Sequence, residues 1–167
     1  MVRPNYPPIP KLPFEPMSSS RLSDRSQASS LRTWHLAAGG AVIAVLLQLW
    51  GLYRVIGPPR SAWLPDADKL AHTMGFALPV MLILLAAALR PPLSAQWPRP
   101  RINALVVGLF AAHAVVSELV HHEWYRYRTG DPLDVFADWI GIAAGLVLAR
   151  LIVLGRSHRG YHGFAPS

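Results

Sequence analysis

The chain has 167 residues, of which 52% are apolar and only 15% charged, and it holds no cysteine. Soluble domains carry about 25% charged residues, so this composition excludes a surface built wholly for water. The missing cysteines exclude disulfide frameworks, thiolate zinc sites and thiol nucleophiles.

Residues 1–31 read as a tail. Pro7, Pro10, Pro13 and Pro16 recur every third residue, the period of a polyproline II helix. A serine-rich stretch from Ser18 to Ser30 follows, with Arg21 and Arg25 inside it. Such a segment buries too little apolar surface to fold alone, so it is expected to be an extended or disordered arm, free or laid on a partner protein. No apolar run follows the first charges and no small-residue cleavage pattern appears, so a signal peptide is not expected.

Four apolar runs come next: Leu36–Ile56, Leu70–Leu89, Ile102–Val120 and Val135–Leu154. A bilayer core needs about 20 helical residues, and lipid offers no partner to backbone groups, so each run is expected to be a helix. The predicted fold is all-α, an integral membrane four-helix bundle over residues 32–155 with a short basic tail at 156–167. Orientation follows the basic residues. With the N-terminus inside, cytoplasmic segments hold Arg3, Lys11, Arg21, Arg25, Arg32, Arg90, Arg99, Arg101, Arg150, Arg156 and Arg159, and outer segments hold only Arg54, Arg60, Lys69, Arg126 and Arg128. The expectation is therefore N-in and C-in. The net charge of +7 is then a topology signal, and nucleic acid is not expected as a partner.

The acids run the other way. Asp66, Asp68, Glu118, Glu123, Asp131, Asp134 and Asp138 all fall toward the outer face. Helix chemistry accounts for some of them. In Asp131-Pro132-Leu133-Asp134 the first aspartate is placed to cap a helix, with proline at its first position, and Asp66 after Pro65 is placed similarly. Capping does not account for His72, Glu118 and Asp138. Glu118 lies near a helix C-terminus, where the dipole disfavours an anion, and the other two lie about a turn inside their helices. Acids within a span call for a partner or a water cavity. Two readings follow for the cluster: a structural ion-pair network, or a functional outer-leaflet site made of Asp68, Lys69, His72, Glu118, Arg126, Arg128, Asp131, Asp134 and Asp138.

Glu118-x-x-His121, with His122 beside it, has the spacing used in helical di-metal bundles. It occurs once where a bridged pair needs two, so these three are weak metal candidates; no metal or other cofactor is assigned. His113 and Gln48, inside apolar runs, are expected to bond to neighbouring helices. Gly141 and Gly145 share a face with Asp134 and Asp138 and are expected to admit a closely packed helix.

Three pieces taken together resemble the VanZ-like family of small bacterial membrane proteins. They are Asp68-Lys69-x-x-His72-x-x-x-Phe76, then Glu118, then Arg128-x-x-Asp131-x-x-Asp134-x-x-x-Asp138-x-x-Gly141-x-x-x-Gly145. The resemblance runs from about Asp66 to Leu154. It departs at His121, where the family usually shows glutamine, and at Asp138, where it usually shows asparagine. What it implies is a protein of the bacterial inner membrane whose shared polar residues face outward, with a role of the glycopeptide-resistance type. The expected function is binding of an envelope lipid or cell-wall precursor headgroup, with Lys69, Arg126 and Arg128 on its phosphate. Two alternatives stand beside it. One is an accessory subunit docked through its helices and residues 1–31. The other is a hydrolase of a lipid-linked substrate with His72 or Glu118 as general base, for which no catalytic set is assigned.

Overall fold

A computed structural model describes residues 19–54, 67–90, 97, 100–125 and 131–161. These form four helices: α1 (Ser19–Tyr53), α2 (Ala67–Ala88), α3 (Pro100–Trp124) and α4 (Pro132–Tyr161). Each contains a stretch long and apolar enough to cross a bilayer, the shortest being the 22 residues of α2, about 33 Å at the usual helical rise. The apolar side chains on the outside agree. Leu36 is 68% exposed and Leu46 60%, a surface that suits lipid and would be a large unprotected patch in water.

Helix boundaries follow local chemistry. Pro100 and Pro132 open α3 and α4, the position where a missing N–H costs nothing. Asp131 Oδ1 accepts a bond from the Leu133 N–H at 2.9 Å, which is the expected cap on α4. α1 departs from expectation by starting at Ser19 rather than near residue 32. No proline lies between Pro16 and Pro58, and once a helix exists each further residue adds a backbone bond without a new nucleation cost. Thr33 and His35 also bond back to the carbonyls of Ser29 and Leu31. Thus the later part of the serine-rich stretch is helical. Residues 1–18, with the proline repeat, lie outside the described residues.

The α2–α4 contact is the most extensive, and α1 packs chiefly on α2. Gly141 and Gly145 make the α2–α4 contact close: a Cβ at either would overlap the carbonyl oxygen of Thr73 or Ala77 respectively. This is the close approach expected of them. Phe76, Val80 and Leu84, one face of α2, are fully buried at the centre of the bundle. The chain order brings the C-terminal ends of α1 and α3 beside the N-terminal ends of α2 and α4, and the polar residues gather there.

Candidate functional site

His72 is the centre of the polar end. It lies on α2, 4% exposed, against the face of α4 that Gly141 brings near. Its Nδ1 stands 3.0 Å from Asp138 Oδ1, and Asp138 is completely buried. With the carboxylate accepting, Nδ1 carries the hydrogen and Nε2 turns to the other acids. Asp134 Oδ2 lies 3.9 Å and Asp68 Oδ1 4.0 Å from Nε2. One hydrogen bond farther along, Thr73 Oγ1 donates to the Ala137 carbonyl at 3.2 Å, so the helix pair is stitched at two successive positions. Phe76, one turn below His72, forms the floor and meets Phe110 edge-on and His113.

Lys69 rests above this group, its Nζ 3.8 Å from Asp131 Oδ2 and 4.0 Å from Asp134 Oδ1. Its charge is thereby shared between two acids on α4. The acids outnumber it: Asp68, Asp131, Asp134 and Asp138 surround one lysine and one histidine among the described residues. Two carboxylate oxygens, Asp134 Oδ1 and Asp138 Oδ2, are buried with no hydrogen-bond partner among those residues.

Glu118 and His121 form a second group, and its bonds are structural. Glu118 Oε1 pairs with His121 Nδ1 at 3.0 Å, and Oε2 accepts from the Asp131 N–H at 3.1 Å. His121 Nε2 donates to the Leu52 carbonyl at 2.8 Å. One residue pair on α3 thus holds the last turn of α1 and the first turn of α4. Both ring nitrogens of His121 are engaged, His122 is exposed, and among the described residues the one group of ligand atoms close enough to hold an ion does not include them. The three weak metal candidates therefore do not converge. Tyr53 adds to the same tie: its carbonyl accepts from the Tyr125 hydroxyl, and its own hydroxyl shares a 3.1 Å bond with His113 Nε2. His113 thus makes the expected bond to a neighbouring helix.

A cleft of about 390 Å³ runs between α1 and α2 from this polar end toward the middle of the bundle. Its walls are mainly apolar, with Leu47, Met74 and Leu78 at its exposed lips. At its polar end stand His72, Asp68 and Arg54, whose guanidinium lies 4.8 Å over the Trp50 ring. Deeper in, Gln48 lines the wall, 6% exposed, its Nε2 without a hydrogen-bond partner among the described residues. That nitrogen does not make the interhelical bond expected of Gln48. Pro79, also on the wall, lacks an N–H and so denies the Gly75 carbonyl its usual helical donor.

Of the expected site residues, the structure brings together Asp68, Lys69, His72, Asp131, Asp134 and Asp138, with Glu118 behind them as a clamp. Arg126, Arg128 and Asp66 lie outside the described residues. The contributions of α1, Arg54 and Gln48, were not among the expected site residues. A lone glutamine inside an apolar run was the available signal. No protein-family model, curated protein or solved structure matches the chain.

Proposed function

We propose that the chain is a VanZ-like membrane protein of the bacterial envelope that binds an amphiphile, an envelope lipid or lipid-linked cell-wall precursor, in the α1–α2 cleft. The observation that carries this reading is the cleft itself. Its apolar walls suit an acyl or isoprenoid chain, and its polar end suits a headgroup. Arg54 is the described cation best placed for a phosphate, since Lys69 is held by Asp131 and Asp134. Gln48 offers an amide donor to a polar group deeper along the ligand. The distribution of basic residues supports an orientation with both termini in the cytoplasm, which puts the polar end in the outer leaflet of the inner membrane.

Gly75 lines the cleft, and a Cβ there would meet nothing within 4 Å. Gly75→Leu therefore fills the cleft without a clash at its first atom, and leucine is the better helix former. Native mass spectrometry of full-length protein in mild detergent is expected to show a lipid of fixed mass on the wild type and to lose it in Gly75→Leu. Equal occupancy in both would refute the cleft as the binding site.

The His72–Asp138 pair favours one second reading, a hydrolase in which Asp138 orients His72 as base. That reading predicts turnover of a lipid-linked phosphate that is lost in His72→Ala, and no turnover across a panel of such substrates would dismiss it.

A further inference from the structure

Among the described residues the acids around His72 outnumber the cations that face them. Asp131 caps α4, and Asp68 and Asp134 lie in the first turns of α2 and α4, where the helix dipole favours an acid, but helix termini do not account for the burial of Asp134 and Asp138 against His72. Burying carboxylates without compensating charge is costly, and two buried carboxylate oxygens here lack hydrogen-bond partners among the described residues. Asp134, 7% exposed, points one oxygen at His72 Nε2 and leaves the other at 4.0 Å from Lys69, too long for a hydrogen bond. Asp68 Oδ1, His72 Nε2 and Asp134 Oδ2 lie within 4.8 Å of one another.

We propose that these three atoms form a binding site for a divalent transition-metal ion, with Asp138 holding the histidine from behind. Histidines that ligate metals typically donate the other ring N–H to a carboxylate, which fixes ring orientation and makes the ligating nitrogen more basic. The 3.0 Å bond from Nδ1 to the fully buried Asp138 is that arrangement. Ligand atoms around an ion at the usual 2.0–2.2 Å stand about 3.4 Å apart in a tetrahedron. The spacings from His72 Nε2 to the two acids, 3.9 and 4.0 Å, are about half an ångström longer than that. Asp68, whose side chain is 68% exposed, has the room to close the gap. One imidazole with two carboxylates favours zinc, manganese or iron(II) over calcium or magnesium. Three protein ligands leave a coordination position open, and Asp68 and His72 also line the α1–α2 cleft, so the site adjoins the cleft. The site does not depend on an amphiphile being the ligand, since metal binding is measured by itself.

The test uses the full-length protein in detergent, stripped with a chelator and titrated with Zn²⁺ by calorimetry. One ion per chain is expected. His72→Ala should abolish binding, and Asp138→Asn should weaken it by about 10- to 100-fold. His122→Ala, which removes an exposed histidine off the site, should leave it unchanged. If His72→Ala binds as the wild type does, or only His122→Ala loses the ion, the site is overturned. A second measurement needs no variant of the cluster. With Mn²⁺ bound to wild type, electron spin-echo spectra should show coupling to one imidazole nitrogen. Absence of nitrogen coupling, or no binding of either ion, would overturn the site.

Discussion

Glu118 and Asp138 are both acids inside apolar helices, and the chain treats them differently. Both Glu118 oxygens are used, one by His121 and one by the Asp131 N–H, whereas Asp138 bonds His72 through one oxygen and leaves the other without a hydrogen-bond partner among the described residues. Glu118→Ala should therefore act on stability. It leaves the buried His121 Nδ1 without its carboxylate, a loss of about 1–3 kcal/mol, read as a lower unfolding midpoint in detergent. An unchanged midpoint would show that the clamp contributes nothing. That His72, Glu118 and Asp138 needed partners was legible in the sequence, because position in the helix ruled out capping. Which partner each took was not. His121 bonds to a backbone carbonyl of α1, and backbone acceptors leave no mark in residue type.

At the scale of elements, the spans were legible from their apolar runs, and the start of α4 from Asp131-Pro132. The early start of α1 was not, because serine content argues against helix locally while the adjoining span lets it propagate. The spacing of Gly141 and Gly145 indicated a close neighbour but could not say which helix it was. That helix is α2, and the two contacts fall on successive turns. Gly141→Ala forces α2 and α4 apart at the turn where His72 meets Asp138. A cost of about 1–3 kcal/mol is expected for such overpacking. Gly39, with nothing within 4 Å of a Cβ, is the control: Gly39→Ala should be neutral or stabilise by up to about 1 kcal/mol. Thermal unfolding of the two variants side by side checks this, and equal midpoints would contradict the packing role.

For the whole molecule, the proposed orientation gives a direct prediction, and the absence of cysteine makes it clean to test. His122 and Arg90 are both exposed, at opposite ends of the bundle. In intact cells, His122→Cys should react with a membrane-impermeant maleimide, while Arg90→Cys should react only after permeabilisation. The reverse pattern would invert the topology and place the polar end in the cytoplasm.

The way α1 is held has one more consequence. Its last turn is tied to α3 through Leu52 and Tyr53, while the rest of its length rests chiefly on α2 with the cleft between them. With the four helices spanning a bilayer, the exposed lips, Leu47, Met74 and Leu78, would open sideways to hydrocarbon rather than to water. A ligand that arrives by this route first dissolves in the bilayer, so occupancy follows its mole fraction among the lipids and not its amount per litre. Diluting proteoliposomes with buffer should leave the bound fraction unchanged, whereas fusing them with inert lipid should empty the protein.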